Sequence, residues 1–146
     1  MRTVVQRVSR ASVEVEGKVV GKIGRGILAY VGVEKGDTEK EMAVMAEKIV
    51  NLRIFPDEER RMNLSVKEVG GEILSISQFT LASHIKKGRR PDFTNAEDPV
   101  KAEALYEKFN ELLAREIKVE KGVFGAMMNI ESINDGPVTF IIERSA

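Results

Sequence analysis

MRTVVQRVSRASVEVEGKVVGKIG, residues 1–24, alternates between apolar and polar side chains almost throughout. Val4 and Val8 share one face of an extended chain, Val5 and Arg7 share the other, and residues 13–16 alternate strictly. Gly17-Lys18 provides a turn before a second alternating run at residues 19–23. This stretch therefore predicts a long antiparallel hairpin, and a sheet to which the rest of the chain adds.

The chain that follows the hairpin continues with a buried strand and then a helix. GILAYVGV, residues 26–33, is continuously apolar, which is typical of a strand covered on both faces. Thr38 followed by Glu41 forms a capping-box pattern that predicts the start of a helix. Met42, Met45 and Ile49 lie on one face of that helix, and we expect both methionines to pack in the core.

The second half of the chain repeats this order of strands and helix. Short extended segments at 53–55 and 62–64 flank a turn, and EILSISQFTL, residues 72–81, reads as one strand. A polar loop follows at 82–97, and Asp98-Pro99 predicts the start of a second helix. Two strands, at roughly 123–133 and 137–143, complete the chain, with the intervening residues typical of a hairpin turn.

These elements indicate an α+β domain. The hairpins favour a mostly antiparallel sheet that forms a small barrel-like domain with two helices packed outside. The length fits a single domain over residues 1–146, large enough for a substantial core.

Composition excludes several kinds of protein. The chain is 42% hydrophobic and 32% charged, so we expect a folded domain rather than a disordered one. No apolar run is long enough to span a membrane, and the first residues lack the pattern of a secretory signal. Cysteine is absent, which fits the cytoplasm. Lys+Arg and Asp+Glu are both 23, and this balance argues against unselective coating of nucleic acid, although a local basic patch remains compatible with it.

Few kinds of catalytic chemistry remain open. His84 is the one histidine, so a nucleophilic triad would have to use it, and a solvated loop residue is its simpler interpretation. Without cysteine, and with one histidine, the usual zinc sites are excluded. We expect neither a metal nor a cofactor.

Two local features break the expected pattern. On the strand predicted over 72–81, Gln78 and Thr80 continue the apolar face of Leu74 and Ile76, and such breaches concentrate at functional sites. The alternative is a strand that becomes wet at the edge of the sheet. Gly136-Pro137 is the second feature, and taken alone it is most simply a trans turn, because few X–Pro bonds are cis.

At these two stretches the chain resembles D-aminoacyl-tRNA deacylases. The signatures stand here as SQFTL, residues 77–81, and NDGPVT, residues 134–139. The opening residues 1–17, the segment KIVNLRIFPDEERRMNLSV and GVFGAMM at 122–128 also match, so the likeness covers essentially the whole chain in order.

The resemblance implies an activity and a mode of chiral selection. Members of this family are homodimers that cleave the ester between a D-amino acid and the terminal adenosine of tRNA, and they also accept glycine. Their Gly-Pro bond is cis and enters the pocket of the partner subunit, where backbone carbonyls collide with an L side chain. Carried onto this chain, those residues are Gly136 and Pro137.

The resemblance also assigns expected roles to other residues. Water is the expected nucleophile, because no base is available to activate the Thr80 hydroxyl, and backbone N–H groups near Gln78 and Phe79 would stabilise the oxyanion. Arg7 and Asn134 would support the Gly-Pro motif. The expected catalytic residues are Ser77, Gln78, Phe79 and Thr80; the expected adenosine pocket is Phe124, Gly125, Ala126 and Met128; the expected phosphate contacts are Lys86, Lys87, Arg89 and Arg90.

Two other functions remain open at this point. A dimeric RNA-binding module without catalysis would use the basic loop and would release no amino acid. A hydrolase of small D-aminoacyl esters would share the chiral pocket but would ignore the tRNA.

Overall fold

The computed structural model describes residues 1–144 and contains eight strands, two helices and one 3₁₀ turn. The helices are α1 (Glu39–Asn51) and α2 (Pro99–Ala114), and the 3₁₀ turn spans Phe79–Ala82. The strands are β1 (Arg2–Val15), β2 (Lys18–Ile23), β3 (Gly26–Gly32), β4 (Phe55–Pro56), β5 (Met62–Leu64), β6 (Glu72–Ser77), β7 (Val119–Lys121) and β8 (Asn129–Glu143).

The long strand β1 organises the main sheet. It pairs antiparallel with β8 along one edge, and with β3 and then β2 along the other. The sheet continues through β6 and β7, which are both added in parallel. It curls until β2 approaches β7: a Cβ added to Gly21 would lie 2.9 Å from the Lys121 carbonyl oxygen. The predicted α+β class, with a mostly antiparallel, barrel-like sheet, is confirmed.

Both helices lie outside the sheet and cover one of its faces. Phe109 and Leu113 of α2 pack with Met42 and Met45 of α1 against the sheet. The opposite face closes on a second, smaller core that includes Val8, Val13, Leu28, Leu74 and Ile76. Two cores on opposite faces explain why β3 is apolar throughout.

The predicted helix starts are confirmed. Thr38 accepts a hydrogen bond from the Lys40 N–H at 3.2 Å, and the Glu41 carboxylate accepts the Thr38 N–H at 2.6 Å, which completes the capping box. Asp98 accepts the N–H groups of Val100 and Lys101 at the start of α2. No helix among residues 1–144 is long and apolar enough to cross a membrane.

Three predicted boundaries are wrong. The first hairpin turns at Glu16-Gly17 rather than at Gly17-Lys18. Both turn residues have positive φ, 51° at Glu16 and 80° at Gly17. The strand predicted over 72–81 ends at Ser77. Residues 123–128 form turns rather than strand, and strand structure resumes only at Asn129.

The hairpin expected near residue 135 is also absent from the described chain. Instead β8 is a single strand that pairs with β1 on both sides of residues 135–138. Asn134 pairs with Val8 and Thr139 pairs with Gln6, so residues 135–138 face the single residue Arg7. We call residues 135–138 the proline bulge. The expected hairpin turn is therefore wrong, because the chain departs from the ladder over these four residues and then pairs with β1 again.

Candidate active site

A cavity of about 1290 Å³ opens beside the end of β6. The 3₁₀ turn, the start of α2 and the segment between β7 and β8 form its walls. All eight residues expected to catalyse or to hold adenosine line it: Ser77, Gln78, Phe79, Thr80, Phe124, Gly125, Ala126 and Met128. The fold therefore brings together two stretches that are more than forty positions apart in the chain.

The chain leaves the sheet at Gln78, and this exit shapes the floor of the cavity. The Gln78 N–H donates to the Val31 carbonyl at 2.8 Å, so it is not free to bind an oxyanion, contrary to our expectation. The next two N–H groups, those of Phe79 and Thr80, begin the 3₁₀ turn and donate to no protein acceptor within residues 1–144. Unpaired donors at the start of a helical turn are a ready site for negative charge.

The Thr80 hydroxyl has a donor beside it rather than a base. The Gln78 side-chain amide donates to Thr80 Oγ1 at 2.9 Å. The Thr80 carbonyl accepts the Ser83 hydroxyl at 2.6 Å, which holds the turn in place. An amide nitrogen cannot take the proton of a hydroxyl group, so this arrangement positions Thr80 without activating it.

The cavity also has polar lining residues that sequence reasoning missed. Lys35, Glu97 and Asp98 lie on its wall beside the start of α2. The Asp98 N–H, and then the Lys101 ammonium, hold the pKa of the Glu97 carboxyl below its usual range. Glu97 is therefore a paired carboxylate at neutral pH, and it is poorly suited to act as a general base.

Aromatic side chains complete the wall. Tyr30 lines the cavity, and burial raises the pKa of its hydroxyl. Phe124 packs on Tyr106, with ring centroids 6.1 Å apart, and the Tyr106 hydroxyl donates to the Ser75 carbonyl at 2.7 Å. Tyr30 stands in the apolar strand β3, and neither its spacing nor a motif distinguishes it as a site residue in the sequence.

The proline bulge lies apart from this cavity in the single chain. Gly136 and Pro137 are exposed, the peptide bond between them is cis, and neither residue lines the cavity. The bulge is closed by Asn134: its amide oxygen accepts the Val138 N–H at 3.2 Å, and its amide nitrogen donates to the Val138 carbonyl at 3.0 Å.

Arg7 holds the bulge from the opposite strand. Its guanidinium donates to the Asp135 carbonyl at 3.0 Å and to the Ile54 carbonyl at 2.7 Å, and it lies 3.2 Å from the Asp135 carboxylate. The Arg7 side chain is only 12% exposed. The structure thus places both expected support residues, Arg7 and Asn134, in contact with the motif.

The expected phosphate-binding residues stand on an exposed loop. Lys86, Lys87, Arg89 and Arg90 are all solvent-exposed. His84 and Asp92 exchange backbone hydrogen bonds of 2.9 and 2.8 Å, which draw the ends of this loop together. His84 therefore closes a loop and does not line the cavity.

Known proteins resemble this chain over almost its whole length. The family model described as D-Tyr-tRNA(Tyr) deacylase matches residues 4–143. The chain belongs to the D-Tyr-tRNA(Tyr) deacylase family. A protein of Bacillus velezensis named D-aminoacyl-tRNA deacylase is 58% identical to this chain, with 98% of each chain covered. A protein of the same name from Persephonella marina is 56% identical to it, with 100% of this chain and 99% of the relative covered.

Solved structures also resemble this deacylase-family chain. One, titled c-Myc DNA Unwinding Element Binding Protein, is 44% identical with a TM-score of 0.95 and full coverage of both chains. A probable eukaryotic D-amino acid tRNA deacylase is 20% identical with a TM-score of 0.84 over 97% of each chain, and this second likeness shows the fold alone.

Residues 1–144 contain no cluster of three or more His, Asp and Glu side chains placed to hold a metal ion. The cavity is lined by hydroxyl and amide groups, by apolar side chains and by the charged residues Lys35, Glu97 and Asp98, with the Phe79 and Thr80 N–H groups at the 3₁₀ turn.

Proposed function

We propose that this chain, acting as a single domain over residues 1–146, hydrolyses the ester bond of D-aminoacyl-tRNA and releases a free D-amino acid and tRNA. The family it belongs to supports the reaction class. The observation that carries the proposal is the pair of unpaired N–H groups, from Phe79 and Thr80, beside a mostly apolar cavity. Because the substrate is aminoacylated tRNA, we place the reaction in the cytoplasm.

The chemistry is an addition of water to an already activated ester. Water attacks the carbonyl carbon, and the oxyanion that forms accepts hydrogen bonds from the Phe79 and Thr80 N–H groups. The bond to the ribose oxygen then breaks, the ribose oxygen takes up one proton of the attacking water, and the acid leaves as a carboxylate while the second proton is released to solvent. A ribose hydroxyl of the tRNA helps to position the water, since no base from residues 1–144 is hydrogen-bonded to the Thr80 hydroxyl.

We assign the terminal adenosine to the wall formed by residues 124–128. Phe124 supplies an aromatic face held by Tyr106, and Met128 supplies a side chain that adapts to the shape of the base. Gly125 has a φ of 77°, so a side chain at this position would be strained. Ser77 and Gln78 position the turn that carries the N–H groups.

Chiral selection would come from the partner subunit of a homodimer. The backbone of its Gly136 and Pro137 crowds the place of an L side chain, whereas a D side chain points away and glycine has none to exclude. Ile141 on β8 supports this arrangement: it is 67% exposed and pairs with Val4, which lines the cavity, so an apolar side chain is left uncovered beside the site.

The basic loop provides the contact with the tRNA backbone. Lys86, Lys87, Arg89 and Arg90 would neutralise phosphates, and this makes binding weaker as salt rises. Salt dependence separates tRNA recognition from recognition of a small ester, which carries no phosphate chain.

The decisive experiment compares D-Tyr-tRNA, L-Tyr-tRNA and D-tyrosine methyl ester as substrates of the whole protein. We expect rapid release of D-tyrosine from tRNA, little release from L-Tyr-tRNA and weak activity on the small ester. Equal cleavage of L-Tyr-tRNA would overturn chiral selection, tRNA binding without release would indicate an RNA-binding module, and preference for the methyl ester would indicate a small-ester hydrolase.

A further inference from the structure

Two exposed aromatic rings stand together at the mouth of the cavity. Phe79 is 60% exposed and Phe93 is 41% exposed. Their ring centroids are 5.2 Å apart and their planes meet at 48°. Both line the cavity, one from the 3₁₀ turn and the other from the loop before α2. Phenylalanine is among the residues most often buried, so an exposed pair at a cavity mouth suggests a contact with a ligand.

Positive charge lies on the loop next to this pair and on the cavity wall, and it indicates the kind of ligand. The carboxylates that also line the cavity are already engaged, Glu97 by Lys101 and Asp98 by the first N–H groups of α2. Four exposed cations stand at positions 86–90 of the loop whose ends are joined by the His84 and Asp92 backbones, and Phe93 follows directly. Lys35 adds a further exposed ammonium on the cavity wall. The neighbouring Asp92 carboxylate accepts the Thr94 N–H at 2.8 Å. Aromatic rings combined with cations are the combination that binds single-stranded nucleic acid.

The position of the pair fixes which nucleotide it would meet. In the proposed function the cavity holds the terminal adenosine and its amino acid, and the rest of the single strand must leave through the mouth. We propose that the Phe79–Phe93 pair stacks the base of the nucleotide that precedes the terminal adenosine, and that Phe93 is a substrate-positioning residue. This inference rests on the proposed function and adds a second nucleotide site to it.

Stacking also fits a contact with the single-stranded 3′ end that all tRNAs share. A base presents an aromatic face whatever its identity, so the pair holds the strand without reading its sequence. Both rings remain partly exposed, so aromatic surface is available to a base, and the contact between the rings limits how either ring can turn. When the preceding base of the tRNA stacks at the mouth of the cavity, the terminal ester can lie next to the N–H groups of the 3₁₀ turn.

The test compares D-Tyr-tRNA with 3′-O-D-tyrosyl-adenosine, which lacks the preceding nucleotide. We expect Phe93→Leu to raise KM for D-Tyr-tRNA by about tenfold, the size of one lost stacking contact, with kcat unchanged. KM and kcat for tyrosyl-adenosine should not change, and Phe93→Tyr should retain the wild-type KM on both substrates. Ile85→Ala is the matched control, because Ile85 is an exposed apolar residue of the same loop that does not line the cavity.

Other outcomes overturn the inference. An equal rise in KM on both substrates would mean that Phe93 contacts the adenosine or the amino acid, and an unchanged KM on both would mean that no base stacks there. A change in oligomeric state of Phe93→Leu, measured by analytical ultracentrifugation, would mean that a second copy covers the pair. Failure of the wild-type protein to cleave D-Tyr-tRNA would instead refute the proposed function itself.

Discussion

Arg7 connects the proline bulge to a part of the chain that is distant in sequence. One guanidinium bonds the carbonyl groups of Asp135 and Ile54, and it is almost completely covered. Removing it leaves a buried carbonyl without a donor and releases one side of the bulge. We expect Arg7→Ala to lower the free energy of unfolding by about 2 kcal/mol and to reduce the ratio of D- to L-Tyr-tRNA hydrolysis.

Arg10 provides the matched control on the same strand. It is 59% exposed, and its contact is a 3.5 Å ion pair with Glu131. Exposed pairs of this kind contribute little, so Arg10→Ala should change stability by less than about 0.5 kcal/mol and leave chiral selection intact. Urea unfolding and initial rates on both tRNA substrates measure the two effects. If Arg7→Ala and Arg10→Ala lost equal amounts of stability and of chiral selection, Arg7 would contribute no more than an exposed surface charge.

The Thr80 hydroxyl allows a direct test of the nucleophile. Because its neighbour is the Gln78 amide and not a base, we expect Thr80→Val to keep the N–H groups in place and to reduce kcat by less than about tenfold. Thr80→Ser should remain close to wild type.

A nucleophilic Thr80 would behave differently. Its loss would reduce kcat by about a thousandfold or more, and acid quench of the wild-type reaction would trap an acyl-enzyme visible by mass spectrometry. Either result would contradict attack by water.

At the scale of single elements, the sequence predicted whether a segment is a helix or a strand better than it predicted where each strand ends. The capping box and the Asp98-Pro99 start were correct because each is a local pattern of hydrogen bonds that needs no distant partner. The end of β6 was not visible, because the chain leaves the sheet where the Gln78 N–H finds the Val31 carbonyl of another strand. The alternation assumed for Gln78 and Thr80 failed for this reason, although both residues do reach the cavity.

The capping box of α1 makes stability depend on pH. Hydrogen bonds from the Thr38 side chain and backbone hold the pKa of Glu41 below its usual value of 4.5. A carboxylate whose pKa falls on folding stabilises the protein above its unfolded pKa, and this contribution is lost as the pH falls through the folded value. We therefore expect Glu41→Gln to destabilise the protein at about pH 7 and to have a smaller effect at about pH 3.

Glu39→Gln is the control for this helix start. Glu39 lies in the same first turn but outside the capping box, so it acts only through the helix dipole. Its effect should be smaller than that of Glu41→Gln at neutral pH. Thermal unfolding followed by circular dichroism at both pH values measures the difference, and a pH-independent loss in Glu41→Gln would refute the assigned role.

At the scale of the whole molecule, the sequence predicted the fold class but not the shape of the cavity. Hydrophobic periodicity places residues on faces, and this was enough for two helices on a curled sheet. Tyr30, Lys35 and Glu97 reach the cavity only through the curl of the sheet and the position of α2, which depend on long-range packing. The proline bulge was mistaken for a hairpin turn because its sequence favours a turn, while its pairing with β1 is set from the far end of the chain.

The separation of the proline bulge from the cavity leads to a prediction about assembly. If the motif of one subunit completes the site of the other, a subunit with a damaged cavity and one with a damaged motif should complement each other. Ala126→Phe fills the cavity, and Gly136→Ala places a Cβ 2.1 Å from the Val138 nitrogen and distorts the bulge. In a mixed dimer, one site then carries both lesions and the other carries neither.

Ala126→Phe alone should therefore be inactive, whereas Gly136→Ala alone should keep its cavity and cleave L-Tyr-tRNA as well as D-Tyr-tRNA. Mixing the two in equal amounts should lower the rate on L-Tyr-tRNA to about half after subunit exchange, because about half of the intact cavities then lie in mixed dimers, where the partner supplies an intact motif. Mixing wild type with the Ala126→Phe, Gly136→Ala double variant is the reciprocal control and should create L-Tyr-tRNA cleavage. An unchanged rate on L-Tyr-tRNA despite proven exchange would show that the motif serves the cavity of its own chain, since each Gly136→Ala cavity would then keep its own damaged motif in every dimer.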